Sequence, residues 1–252
     1  MLMNNTKQDT VKIPLSLRMQ GILDMLRDEK ERYGTIGCVA DIGCDHAFVS
    51  MACIEQKLAR HVVAMDVRRG PLDIAQKNLM EYGFEKSVDT RLSNGFDSLQ
   101  VGEADWAVIA GMGGKLMRDI LMAGHIHLEA GIGLILQPQS ELDVLRLCLE
   151  EHGYQICDEQ FLLEEGKYYT IIKAKKQKTD VHMTRAELLY GPVLIHEKNI
   201  LLGRFLAREL EKKCQIYHTL QDRQTDSAKK RTEELEREID LLHNVIDTLN
   251  RR

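Results

Sequence analysis

This sequence has little that would support a disulfide scaffold, a metal site or a membrane span. Its six cysteines (Cys38, Cys44, Cys53, Cys148, Cys157 and Cys214) are scattered. None forms a CxxC pair or sits at metal-ligand spacing from a histidine, so no metal site and no disulfide framework are expected. No apolar run approaches the roughly 20 residues that a membrane span needs. The first residues, MLMNNTKQDTVKIP, lack the apolar stretch of a secretory signal, so the expected setting is cytoplasmic. A surplus of positive charge is also missing: 34 Lys and Arg face 39 Asp and Glu, a formal charge of −5, which on its own argues against a polyanionic partner. What is present is enough for a core. At about 100–200 residues per domain, 252 residues with 44% hydrophobic content allow one large domain and a small appendage.

The middle of the chain alternates short apolar runs with helical segments. GCVADIG (37–43), HVVAMDV (61–67), SVDTRLSNG (87–95), ADWAVIAGMGG (104–114) and GIGLILQPQ (131–139) read as strands. Segments 46–59, 70–83, 115–124 and 141–152 read as helices between them, with Gly83 closing the second. A first helix starts at a Ser16 cap, carries Leu17, Ile22, Leu23 and Leu26 near helical spacing, and ends at Gly34. Residues 154–176 read as two strands around a Glu165-Gly166 turn. Strands that alternate with helices predict a parallel sheet covered on both faces, a Rossmann-like α/β fold, and a closing hairpin on such a sheet resembles the ending of class I methyltransferases. After the Gly191-Pro192 break no strand signal remains. Leu202, Leu206, Leu210, Ile216 and Leu220 mark one helix; Leu235, Ile239, Leu242, Ile246 and Leu249 form a heptad seam on a second. The pair predicts an α-helical coiled-coil hairpin, with an intermolecular coil as the rival. The expected domains are residues 1–180, a cofactor-binding catalytic unit with its N-terminal helix, and 181–252, the helical unit.

The most informative stretch is VADIGCDHAF (39–48), between a strand and a helix. Ligands of open parallel sheets bind beyond the carboxyl ends of the strands. Gly43 allows close backbone approach, but the stretch is not GxGxxG, so nothing cradles a pyrophosphate. A nicotinamide oxidoreductase is therefore disfavoured. S-adenosylmethionine carries no phosphate; it carries an ammonium, a sulfonium and a carboxylate. Asp41 and Asp45 suit its cationic tail, Asp66 at the end of the second strand suits ribose hydroxyls, and Asn94 and Gly95 lie where an adenine edge would fall. GMGG (111–114) follows the fourth strand and leaves backbone groups open near the reacting atoms. A tight turn into the next helix would want the same glycines.

Taken together, ADIGCDHAF, Asp66 followed by GPLDIAQKN, RLSNGFDSL, IAGMGG, LILQP (134–138) and EEGKYYTI (164–171) resemble the bacterial tRNA (adenine(22)-N(1))-methyltransferase family in order and spacing over most of residues 15–175. Two positions depart from the family pattern: Phe48 replaces a frequent Tyr, and Cys44 a common Ser. The resemblance implies methyl transfer from S-adenosylmethionine, yielding S-adenosylhomocysteine, to N1 of an adenine in the tRNA D-arm. It implies cofactor contacts at Asp41, Gly43, Asp66 and Asn94, with Gly95 and Gly111 beside them. Asp45, Met112 and Gly113 fall on the catalytic, acceptor side, and His46 on the substrate side.

Adenine N1 lies on the Watson–Crick edge, so the base must be turned out of its stack, and the enzyme needs a grip on the surrounding RNA. Candidate cations are Lys7, Lys12, Arg18 and Arg27 near the N-terminus, and Arg68, Arg69, Lys115 and Arg118 near strand ends. On the helical unit they are Arg204, Arg208, Lys212, Lys213, Lys229, Lys230 and Arg231. Among these, Arg18, Arg68, Arg69 and Lys115 are the leading substrate contacts. The charge balance also proves local. Residues 36–179 carry 15 bases and 21 acids, whereas 180–252 carry 13 of each. The chain is expected to act as a monomer, with a coiled-coil dimer as the alternative. The rival functions are a methyltransferase for a small molecule that dimerises through the coil, and an RNA-binding scaffold without turnover.

Overall fold

The computed structural model describes residues 13–177, 182–221 and 225–251. Lys7, Lys12 and the expected domain boundary at 180/181 lie outside these residues. Helix α1 (Leu17–Tyr33) starts on Ser16, whose hydroxyl accepts a hydrogen bond from the Met19 amide, and ends at Gly34. The elements β1 (Ile36–Ile42), α2 (Phe48–Glu55), β2 (Ala59–Asp66), α3 (Arg69–Tyr82) and β3 (Val88–Leu92) follow. Then come β4 (Trp106–Met112), α4 (Gly114–Ala123), α5 (His125–Glu129), β5 (Gly133–Pro138) and α6 (Leu142–Glu151). The hairpin strands are β6 (Tyr154–Glu164) and β7 (Lys167–Lys176).

These seven strands form one sheet in the order β3-β2-β1-β4-β5-β7-β6. The first five are mutually parallel, and β7 enters antiparallel to β5. Alternation along each strand explains the two-sided core. Val39, Val62, Val108 and Ile135 face the side that holds α1, α2 and α3. Their neighbours Ala40, Val63, Ile109 and Leu136 face α4 and α6. Side chains of a strand point to opposite faces in turn, so near-continuous apolar runs are what a doubly covered sheet requires. The β6–β7 turn has positive φ at both central residues, Glu165 (50°) and Gly166 (79°), the backbone that tight hairpins favour.

The C-terminal part is all helical: α7 (Arg185–Tyr190), α8 (Pro192–His196), α9 (Ile200–Gln221) and α10 (Asp226–Asn250). Helices α9 and α10 pair within the chain, burying Leu202, Leu206, Leu235 and Leu242 along the expected seam. A buried ion pair ties this part to the sheet. Arg146 of α6 meets Glu159 of β6 at 2.9 Å, and both side chains are fully buried. Arg146 also donates to the Leu188 and Leu189 carbonyls of α7, while Glu159 accepts from the Val193 and Leu194 amides of α8.

Several elements differ from the sequence reading. The helix expected from residue 46 begins at Phe48, because Asp45 and Ala47 adopt φ of 49° and 59° and cannot continue a helix. The third strand stops at Leu92, where the chain turns through Ser93 and Gly95 (φ 59°). Helices α5, α7 and α8 span only five or six residues each, too short to show a helical period.

Candidate active site

The loop from β1 to α2 alternates left-handed residues: Gly43 (φ 79°), Asp45 (49°) and Ala47 (59°). Hydrogen bonds hold it in that shape. The amides of Gly43 and Cys44 both donate to the Met65 carbonyl, and Asn78 of α3 donates to the His46 carbonyl at 2.9 Å. Asp41, at the end of β1, is buried and accepts from the Ser50 hydroxyl at 2.5 Å. Burial lifts its carboxyl from 3.8 to about 6, against the opposing hydrogen bonds of Ser50. Asp45 instead stands at the surface, 64% exposed, with Oδ2 at 3.6 Å from His46 Nε2.

Asp66 ends β2 with its side chain only 6% exposed. Its Oδ1 accepts from the Arg68 amide at 2.8 Å; among the described residues nothing is bonded to Oδ2. The Ser93 amide donates to the Asp66 carbonyl, which brings Asn94 and Gly95 beside this carboxylate.

At the end of β4 the pairing with β5 slips between Ala110 and Met112, a bulge centred on Gly111 (φ 78°). The Gly111 amide donates to the buried Gln137 side chain at 3.2 Å. Gly114 is demanded by packing: a Cβ there would stand 2.3 Å from the Glu141 carbonyl oxygen. Gly114 thus makes the tight turn into α4, and Gly111 leaves bare backbone at the strand end. Lys115 pairs with Glu141 at 3.0 Å, which holds the Glu141 carboxyl below its usual range.

Two cavities meet over these strand ends. The first, about 220 Å³, is walled by Asp41, Cys44, Asp45, His46, Phe48, Gly111 and Gln137 on the sheet side and by Ser16, Arg18, Met19 and Ile22 of the α1 region. The second, about 290 Å³, is walled by Asp66, Arg68, Ser93, Asn94, Gly95, Met112 and Leu116. Gly43 borders both. The Met112 methyl, in the wall of the second, lies 2.3 Å from where a Gly43 Cβ would be. The structure thus brings Asp41, Gly43, Asp45, His46, Gly111 and Arg18 around one cavity, and Asp66, Asn94, Gly95 and Met112 around its neighbour. Arg69 and Lys115 are exposed and line neither; Gly113 sits at the α4 N-terminus against Ser140 and Glu141. Ser50 was not picked out from sequence, and Gln137 and Asn78 carried a signal only as letters of LILQP and GPLDIAQKN; of the α1 wall, Arg18 was read as a substrate contact and not as part of this cavity. No cluster of three or more His, Cys, Asp or Glu residues able to hold a metal occurs among the described residues. No described helix is long and apolar enough to cross a membrane.

The family model described as tRNA (adenine(22)-N(1))-methyltransferase matches residues 39–244. A Bacillus subtilis (strain 168) protein with that name is 31% identical over 241 residues, 94% of this chain and 98% of its own length. The crystal structure of the B. subtilis M1A22 tRNA methyltransferase TrmK superposes with a TM-score of 0.79 at 30% identity, covering 93% of this chain and 100% of that one. The structure of M. capricolum TrmK with its cofactor product S-adenosylhomocysteine gives a TM-score of 0.78 at 25% identity, covering 94% and 99%.

Proposed function

The chain belongs to the tRNA (adenine(22)-N(1))-methyltransferase family, and we propose that the paired cavities over β1, β2, β3 and β4 are where it methylates N1 of adenine 22 in the tRNA D-arm. The observation that supports this placement is the convergence of Asp41, Asp45 and Asp66 on two cavities that share Gly43. The residues present fit S-adenosylmethionine. Asp66 presents a buried carboxylate with one oxygen open, as ribose hydroxyls require, and Asn94 and Gly95 edge the same cavity for the adenine. Asp41, and the bare backbone of Gly43 and Gly111, border the adjoining space for the amino-acid tail. When bound, the cofactor supplies a methyl group activated by its sulfonium.

Adenine N1 already has an in-plane lone pair, so the main work of the chain is alignment, which can be worth roughly 7–11 kcal/mol. His46 and Phe48, with ring centroids 5.7 Å apart, give the turned-out base an aromatic wall. Methylation leaves the base cationic. Asp45, at the mouth of the first cavity, stabilises that charge and accepts a proton from the exocyclic amine. Met112, in the wall of the second cavity, borders the approach between the two substrates, while Gly113 acts from behind it through the turn into α4. Arg68 and Arg69 grip RNA phosphates, assisted by Lys115, whose charge is already shared with Glu141. Residues 1–180 serve as the catalytic unit and 181–252 as the helical unit. The pairing of α9 with α10 within the chain supports a monomer, and a tRNA substrate supports a place in the cytoplasm.

Two measurements test this reading. Purified protein with labelled S-adenosylmethionine and unmodified tRNA should yield 1-methyladenosine on nucleoside analysis. Asp45→Ala should lose turnover while cofactor affinity stays within a few-fold. Turnover near wild type would remove Asp45 from catalysis, and a parallel loss of affinity would assign it to the cofactor instead.

A further inference from the structure

The end of β4 divides the two cavities, since Gly111 lines the first and Met112 the second. Resting on the reading that methyl transfer takes place across these cavities, we propose that Gln137 is a positioning residue for the reaction. Its side chain fixes the bulge at Gly111, and with it the strand end along which adenine N1 and the methyl carbon are aligned.

Four observations carry this. Gln137 follows the apolar residues Leu134, Ile135 and Leu136 in β5 and is only 2% exposed, in the wall of the first cavity. A buried amide needs partners, and this one has them. Its Oε1 accepts from the Gly111 amide, and its Nε2 donates to the Pro138 carbonyl, both at 3.2 Å. Second, the Gly111 bond stands outside the ladder. Strands β4 and β5 pair Ala110 with Gln137 and Met112 with Pro138, so Gly111 is the extra residue with no partner on β5. Third, the chain just beyond is held by backbone bonds: the Gln139 amide donates to the Met112 carbonyl at 2.8 Å, and the Gly114 amide to the Ser140 carbonyl at 2.9 Å. Of these three links, the one at Gly111 alone is made by a side chain. Fourth, a Cβ on Gly111 would meet nothing nearer than Gln139 Nε2 at 3.8 Å. Glycine is wanted there for its φ of 78°, the shape that Gln137 holds, and not for space. A misplacement of about 1 Å can cost about a hundredfold in rate, so one hydrogen bond that touches neither substrate can govern turnover.

The test measures turnover of the full chain with saturating S-adenosylmethionine and tRNA, beside S-adenosylhomocysteine binding by calorimetry and urea unfolding. Gln137→Met keeps the length of the side chain and removes both hydrogen bonds. Its kcat should fall roughly tenfold or more, while the KM for tRNA and the S-adenosylhomocysteine affinity stay within about threefold. Gly111→Ala has room for its methyl group and perturbs the backbone alone, and it too should lower kcat. Because both changes act on one bulge, the double variant should be about as slow as the slower single one. A kcat for Gln137→Met within about twofold of wild type, after correction for the folded fraction, would overturn the proposal. So would a parallel loss of S-adenosylhomocysteine affinity, which would assign Gln137 to cofactor binding. Losses that multiply in the double variant would show independent roles and overturn it as well. If the wild-type chain methylates no adenine, the placement of the reaction fails first, and the proposal with it.

Discussion

Replacing Asp41 with Asn should stabilise the ligand-free protein while impairing cofactor binding. The Asp41 carboxyl is buried at the end of β1, and burial raises it from 3.8 to about 6. A folded-state value above the unfolded one means that protonation favours the fold. The stabilisation is complete below about pH 4 and is lost as pH rises through 6. That rise corresponds to at most about 3 kcal/mol by pH 7. An Asn carries no charge, and its side-chain oxygen can still accept from Ser50. Urea unfolding from pH 4 to 8 should therefore show near-equal stabilities at pH 4. The variant should gain through pH 5 and 6, and the gap should level off above pH 7. S-adenosylhomocysteine affinity of the wild type should fall below pH 6 as Asp41 takes up a proton, and the variant should bind weakly at every pH. A variant no more stable than wild type at pH 8, or a gap independent of pH, would refute the reasoning.

Gly43→Ala introduces a side chain at φ 79° and 2.3 Å from the Met112 methyl. Calorimetry should show S-adenosylhomocysteine binding weakened at least tenfold, with partial recovery in Gly43→Ala/Met112→Ala, where only backbone strain of about 1–2 kcal/mol remains. Arg146→Met leaves Glu159 buried without its partner and should lower unfolding stability by about 3–5 kcal/mol; Arg146→Met/Glu159→Leu should regain much of it, both read from urea midpoints. Arg68→Glu/Arg69→Glu should weaken tRNA binding and flatten its salt dependence; equal affinities and slopes across a salt series would remove them from the interface.

The strand-end residues were legible because each closes a short apolar run: Asp41 after Val39-Ala40, Asp66 after the 61–65 stretch, and Asn94 just past β3. The doubly covered parallel sheet followed from the alternation of strands with helices, though its strand order did not, and the helical pair followed from its heptads. Gln137 was hidden because it lies in the fully buried strand β5, and its bond to the Gly111 amide exists only through the bulge in β4. Arg18 read from sequence as a leading RNA contact. Its place in the cavity wall depends on Glu164, 146 residues away in sequence, and on a packing direction no local pattern encodes. The helix entry at Phe48 was misjudged because Asp45 and Ala47, neither of them glycine, take left-handed backbone. Net charge misled because it is a sum over the chain: its acidic surplus lies in residues 36–179, where Asp41 and Asp66 are buried.

The most direct test of the central claim is to map the methyl group. Wild-type protein, S-adenosylmethionine and an unmodified bacterial tRNA transcript should give 1-methyladenosine at position 22, and a transcript with guanosine at that position should accept no methyl group. Methylation elsewhere in the tRNA, at another atom of the adenine, or equally in both transcripts would contradict the assignment.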